Sequence, residues 1–286
     1  MSVEDSSGIA AYYDSLARFL DFARRLGRGG GAAQGSTHRF LAASTEEMDE
    51  TTPGPERLDR IALDAALGAG LARNPKVLDA GCGLGGTVFF WHARAGGTYD
   101  GLTLSPEQQR RAETEAARRG VSGFCRFHLR SYHDAIASRY DAIIAIESLA
   151  HSPDPAAAVA TLGAALSPGG LLLIVDDMPV EGAKKNLLTG FKAGWRCPGL
   201  LDSAGYRAAI GAAGLELARD DDLTERLRPR PLAWLRVLIA AFGLARALAP
   251  TRGARDVLGA LLGGFYLEAL YRTGGMRYRM MVAKKM

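Results

Sequence analysis

Three stretches of the sequence carry residue types and spacings that could do chemistry: the glycine turn with Asp79, Gly81, Cys82 and Gly83, the polar run from Thr103 to Gln108, and the pair Glu147 and His151. Val77-Leu78-Asp79-Ala80 reads as the end of a buried strand, and the Gly81-x-Gly83-x-x-Gly86 spacing opens a helix carrying Val88, Phe89 and Trp91. Glycines let the backbone approach a ligand, and a helix beginning there offers free N–H groups and a partial positive charge to an anion. Two anions meet that description: a dinucleotide pyrophosphate and the carboxylate of an amino acid. Asp79, two residues before the first glycine, chooses between them. A carboxylate there repels a pyrophosphate but steadies the loop and attracts an ammonium, so the expected ligand carries both a carboxylate and an amine.

Residues 140–146, a run of Ile and Ala, read as a strand buried on both faces. It delivers Glu147-Ser148-Leu149-Ala150-His151 to the carboxyl end of the sheet, where ligands of open α/β sheets bind. Glu147 and His151 are the bases available there; the plainer roles are a hydrogen bond to backbone or ligand for Glu147 and helix-entry capping for His151. No metal site is expected. The three cysteines are not arranged as metal pairs, and Asp220-Asp221-Asp222 reads as a solvated strand end.

VLDAGCGLGG resembles the first motif of the class I methyltransferases, which bind S-adenosylmethionine (SAM), and later signals extend the resemblance over residues 57–223. The resemblance implies SAM as cofactor, S-adenosylhomocysteine as its product, and Asp79, Gly81, Cys82 and Gly83 in the cofactor cradle. Most members grip the ribose with an acid at the end of the second strand, where this chain has Thr103; Asp100 falls too early. The run TLSPEQ is similar instead to the branch containing tocopherol, sterol and cyclopropane-forming methyltransferases, which implies Thr103, Leu104 and Gln108 as ribose contacts. The same residues also describe a helix start, with Ser105 as N-cap, Pro106 at the first helical position and Gln108 in the capping box. Ser131 and Tyr132 occupy the turn that usually receives adenine, with Asp134 displaced beyond it, and Glu147 doubles as a cofactor contact. Tyr12, Tyr13, His38, Arg39 and Trp195 are the candidate acceptor contacts.

Methyl transfer is an in-line displacement, so the protein has to align the acceptor, exclude water and remove a proton. The expected activity is SAM-dependent methyl transfer to a small, largely apolar metabolite, as C-methylation of an isoprenoid-like acceptor with Glu147 taking the proton. O- or N-methylation of an aromatic natural product is the alternative. A nicotinamide-dependent Rossmann oxidoreductase comes third, since Gly81, Gly83 and Gly86 formally satisfy its fingerprint. Mg²⁺ enters only if the acceptor is a diphosphate, with Arg39, Lys184, Lys185 and Arg196 as phosphate partners.

The elements that must position these groups alternate along the chain. Strand signals at 76–79, 99–104, 124–129, 140–146, 171–175, 215–218 and 276–283 interleave with helices, which predicts an α/β fold with a doubly wound, seven-stranded Rossmann-like sheet. An amphipathic helix from Ile9 to Leu26 belongs to a helical cap over residues 1–56, and 57–286 forms the SAM-binding domain with lid segments at 180–214 and 224–274. Residues 231–248 are apolar and interrupted by Arg236 and Arg246; they read as a lid helix over an apolar pocket, with weak contact to a membrane surface as the alternative. Against 35 basic residues stand 31 acidic, with no compact basic stripe, so nucleic acid is not an expected partner. Unpaired cysteines and a polar, acidic start to the chain point to a reducing cytoplasm.

Overall fold

The computed structural model describes Leu41 and residues 56–286, so the expected helix at 9–27 and the candidates Tyr12, Tyr13, His38 and Arg39 lie outside the described residues. The chain runs α1 (Arg57–Gly68), β1 (Lys76–Ala80), α2 (Gly86–Ala95), β2 (Thr98–Thr103), α3 (Pro106–Arg119), β3 (Cys125–Leu129) and β4 (Tyr140–Ile146). It continues through α4 (Pro155–Ala164), β5 (Leu166–Pro179), α5 (Lys185–Trp195), α6 (Ser203–Ala212), β6 (Leu215–Asp222), α7 (Leu232–Leu248), α8 (Arg252–Arg272) and β7 (Met276–Lys285).

The strands form one seven-stranded sheet in the order β3-β2-β1-β4-β5-β7-β6, with β7 antiparallel to both of its neighbours. Strand order reverses between β1 and β4, which makes their carboxyl ends the switch point of the doubly wound sheet. Apolar side chains alternate along the central strands and build two cores. Val77, Ile144, Leu173 and Tyr278 meet α1, α2 and α8 on one face, while Leu78, Ile143, Ile174 and Met281 meet α4 and α6 on the other. Asp59 of α1 is buried, accepting from Thr87 Oγ1 at 2.6 Å through its carboxylate and from Trp91 Nε1 at 3.1 Å through its backbone carbonyl, which fastens α1 to α2.

Two expectations, the extents of the fifth and sixth strands, are corrected. Pro168-Gly169-Gly170, read as a turn before the fifth strand, lies inside β5, which pairs with β4 through a register shift between Tyr140 and Ala142. The sixth strand, expected over 215–218, runs on to Asp222, so Asp220, Asp221 and Asp222 form its half-buried to exposed end and are paired with arginines: Arg279 and Arg207 on Asp220, Arg219 on Asp221, Arg277 on Asp222. Residues 231–248, read as a helix, form α7, and α8 follows it as the second arm of a hairpin that packs on the body of the protein along α5, where Leu267, Leu270 and Tyr271 join the main core. Among the described residues no helix is long and apolar enough to cross a membrane.

The floor beneath the glycine turn is packed without slack. Gly101 of β2 sits opposite Asp79 and Phe127, and a Cβ there would lie 2.8 Å from both Cys82 Sγ and the Phe127 ring. Gly101→Ala is expected to cost about 1–3 kcal/mol by overpacking, read as a lower urea midpoint. An unchanged midpoint would show that this floor is not close-packed.

Candidate active site

At the switch point the backbone of the glycine turn folds back onto β2: Gly81 N and Cys82 N both donate to the Leu102 carbonyl, at 3.1 and 2.9 Å. Gly81 has φ +101°, and a Cβ on it would stand 2.6 Å from Ser148 Cβ, so only glycine fits. Gly83 also has positive φ, +54°, yet a Cβ there meets nothing within 4 Å among the described residues. Gly81 is thus required by the protein, whereas the space over Gly83 is open for a ligand. Asp79 is buried in β1 between Gly101 of β2 and Ile144 of β4. Burial, with the Asp79 charge second, pushes the Cys82 thiol well above its usual range, so Cys82 is a packing group here and not a nucleophile.

Glu147 leaves β4 in the left-handed region, with φ +52°, a conformation that costs a non-glycine residue about 1–2 kcal/mol. Its amide donates to the Val175 carbonyl at 2.7 Å, and its carboxylate accepts from Tyr278 Oη of β7 at 2.7 Å. Such strain is kept where the surroundings over-determine it, as at active sites. Ser148, next in the chain and against Gly81, has a buried hydroxyl with no hydrogen-bond partner among the described residues. A buried orphan hydroxyl at the mouth of a glycine turn can donate to the carboxylate or accept from the ammonium of an amino-acid ligand. The residues present therefore fit the SAM amino-acid end: an open Gly83, a buried Asp79 and an unsatisfied Ser148.

The remaining candidates gather on the same edge. Thr103 Oγ1 donates to Gln108 Oε1 at 2.8 Å, and Ser105 Oγ caps α3 by accepting from Gln108 N, so capping and the Thr103–Gln108 pair coexist. Leu104, between Thr103 and Ser105, is half-buried. Asp100 is engaged elsewhere, by Tyr140 Oη and His128 Nε2, each at 3.0 Å. Ser131 Oγ accepts from His133 N, Asp134 closes the same turn by accepting from Ser131 N, and Tyr132 Oη donates to the Ser148 carbonyl at 3.1 Å. The third-strand turn is therefore tied to the end of β4. His151 ends a short 3-10 helix, Leu149–His151, with Nδ1 3.7 Å from Cys197 Sγ, and burial lowers its pKa, which favours the neutral imidazole. Trp195 closes α5 with Nε1 donating to the Ala260 carbonyl of α8, so its N–H belongs to the α5–α8 contact. Arg196 is paired with Asp256 at 3.1 Å, which removes it from the phosphate partners named above. Among the described residues no group of His, Cys, Asp or Glu could hold a metal ion.

Three residues that matter here were not singled out by sequence: Ser148, Tyr278 and Asp176. Ser148 had a signal, since it adjoins Glu147. Tyr278 lies 131 residues from the carboxylate it holds and only the sheet brings them together. Asp176, in a strand that reads as purely apolar up to Val175, accepts from Ala150 N, Asp177 N and Tyr206 Oη and so anchors the turn behind Glu147.

Burial, reinforced by the neighbouring Asp177, pushes the Asp176 carboxyl up to about 7. A carboxyl whose folded pKa lies above its unfolded value of roughly 3.9 contributes stability that is fully present below that value and lost as pH rises through the folded pKa. The stability of Asp176→Asn relative to the native protein is therefore expected to rise between about pH 4 and pH 7. A difference that stays flat across this range in urea titrations would remove the buried-carboxyl account. For the turn itself, Gly83→Val meets no atom within 4 Å but is strained by about 1–2 kcal/mol at φ +54°, so a somewhat less stable, folded variant is expected in which SAM affinity, measured by calorimetry, collapses. Unchanged affinity in the folded variant would place the cofactor elsewhere.

Comparison with known proteins agrees with this geometry. The methyltransferase domain family matches residues 78–172. The chain is 31% identical over 223 residues to the methyltransferase GfsG of Streptomyces halstedii, covering 76% of this chain and 73% of that one. With the chloroplastic tocopherol O-methyltransferase of Arabidopsis thaliana it shares 25% identity over 73% of its own length, and it spans 63% of that relative. Geranyl diphosphate C-methyltransferase from Streptomyces coelicolor A3(2), solved with Mg²⁺, geranyl-S-thiolodiphosphate and S-adenosyl-L-homocysteine, superposes with a TM-score of 0.73 at 19% identity, covering 100% of this chain and 99% of that one. The chain belongs to the class I SAM-dependent methyltransferases, in the branch that includes the tocopherol and sterol enzymes, and not to the nicotinamide-dependent oxidoreductases.

Proposed function

We propose that the protein methylates carbon in a small, largely apolar, isoprenoid-like acceptor, with Glu147 as the base. One observation carries the reading: the Glu147 carboxylate is held by Tyr278 in a strained backbone conformation, and the next residue abuts the glycine turn. The neighbour from Streptomyces coelicolor is a C-methyltransferase of an isoprenoid diphosphate, which supports the same chemistry.

When bound, SAM supplies an electrophilic methyl group on a sulfonium. Asp79, Gly81, Cys82, Gly83 and Ser148 would hold its amino-acid end, Thr103, Leu104 and Gln108 its ribose, and Ser131 and Tyr132 its adenine. The task left to the chain is a proton. Addition of a methyl to an electron-rich double bond leaves a positive charge on the adjacent carbon, and Glu147 restores the double bond by removing a neighbouring proton. Tyr278 fixes which carboxylate oxygen is free for that transfer. Tyr12, Tyr13, His38 and Arg39 from the N-terminal segment and the ring of Trp195 are the proposed acceptor contacts, with residues 180–214 and 224–274 as the lid. A diphosphate on the acceptor would bring Mg²⁺ with it, bound through the phosphates and not by a dedicated carboxylate cage.

O-methylation is the second reading, favoured by His151, whose neutral imidazole can accept a phenolic proton, and by the tocopherol O-methyltransferase relative. Products from a panel of prenyl and phenolic acceptors, with the methyl position read by NMR, separate the two. Under the first reading Glu147→Gln lowers turnover by about 10² to 10⁴ with SAM affinity nearly intact. Tyr278→Phe keeps the packing, lowers turnover by roughly tenfold and moves the acidic limb of the pH–rate profile upward, because the carboxylate loses a donor that favours its charged form. Turnover that recovers at saturating SAM in Glu147→Gln would reduce Glu147 to a cofactor contact.

A further inference from the structure

We infer that α7 rests on the surface of an anionic lipid bilayer. One side of this helix is spent on the protein, with Leu235 fully buried and Phe242 edge-on to Phe265 of α8 at 5.0 Å. The other side is apolar and open. Trp234, Val237, Leu244 and Leu248 are 66%, 61%, 64% and 74% exposed, and with Ala241 they step by three and four residues along a single stripe. They are four of the seven large apolar side chains exposed among the described residues, so the exposure is concentrated here and not scattered over the surface.

The charge around the stripe says what covers it. Residues 227–255 hold six arginines and no acidic residue, although the whole chain is nearly balanced at 35 basic and 31 acidic. Arg230 faces Glu268 of α8 at 3.4 Å. Among the described residues the other five have no carboxylate partner, and Arg228, Arg246 and Arg255 lie against backbone carbonyls, which leaves their charge in place. An apolar stripe with a tryptophan, in a segment whose arginines are mostly exposed and uncompensated, matches the acyl boundary and the phosphates of a bilayer surface. A second copy of the chain matches only the apolar half, because it would bring the same uncompensated positive segment and no anion to meet it. The helix lies on the surface and does not span it.

The test reads binding of the full chain to sedimented vesicles of phosphatidylcholine with and without phosphatidylglycerol, and so stands apart from the identity of the acceptor. Binding is expected only with phosphatidylglycerol, weakening as salt is raised. Trp91 is buried, Trp195 is half-buried with its N–H held by Ala260, and Trp234 is 66% exposed, so tryptophan emission should shift to the blue on binding, and the shift should vanish in Trp234→Phe. The double variant V237S/L244S alters two exposed positions, should melt like the native protein, and is expected to lose at least roughly tenfold in partitioning. Arg236→Gln with Arg252→Gln should reduce the dependence on phosphatidylglycerol. Absence of vesicle binding at low salt, or undiminished binding by the folded double variant, would overturn the proposal. So would dimers in lipid-free sedimentation velocity that V237S/L244S dissolves, since the stripe would then join two copies.

Discussion

The placement of the whole site depends on one steric constraint, the approach of Gly81 to Ser148. No Cβ can exist on residue 81, because it would stand 2.6 Å from Ser148 Cβ. Parallel pairing of β1 with β4 brings the two strand ends side by side at the switch point, and the missing side chain lets them close up. The contact fixes the glycine turn and the residue after Glu147 relative to each other, without any attractive interaction that a ligand would have to break. Everything placed near it is placed by rigid strands.

The constraint has an energetic cost at the neighbouring position. Glu147 leaves its strand with positive φ, which costs about 1–2 kcal/mol for a residue with a side chain. A hydrogen bond from a neutral donor to a carboxylate contributes about 1.5–3 kcal/mol, so the Tyr278 contact is of the size needed to offset the strain. Tyr278 is fully buried, and its own amide donates to Thr224 Oγ1 at 2.9 Å, so the donor is held as firmly as the acceptor. The last strand of the chain thus acts on chemistry that begins at the first.

How much of this was legible in the sequence follows from the range of each interaction. The glycine turn, the capped start of α3 and the buried β4 are local patterns, and they stand where the periodicity and spacing put them. The lengths of β5 and β6 were underestimated because Pro168, Gly169 and the Asp220–Asp222 run carry turn-like or solvent-like composition that tertiary contacts override. The arginines that make Asp220 a strand residue, Arg207 and Arg279, come from a helix and from β7, at sequence distances that no local pattern encodes. The same holds for Tyr278 on Glu147. Residues 231–248 were read with the right composition, but which side of the helix faces the protein is decided by α8, and only the packing of Leu235 and Phe242 shows that the Trp234 stripe is left over.

Asp176 and Asp177 show how this arrangement leaves room for different acceptors. They are consecutive residues of β5, so their side chains point to opposite faces of the sheet. Asp176 takes the Ala150 amide and Tyr206, fixing the turn that carries Glu147 and His151, while Asp177 takes the hydroxyl of Tyr271 from α8. The turn bearing the candidate bases and the helical insert are therefore tied to the same rigid strand through separate bonds on separate faces. Substitutions within α7 or α8 can reshape the surface offered to an acceptor or to a bilayer without passing through the hydrogen bonds that hold Glu147. A fold built this way holds the glycine turn and Glu147 in one register while the insert is free to vary, so the turn was readable from local spacing and the acceptor was not.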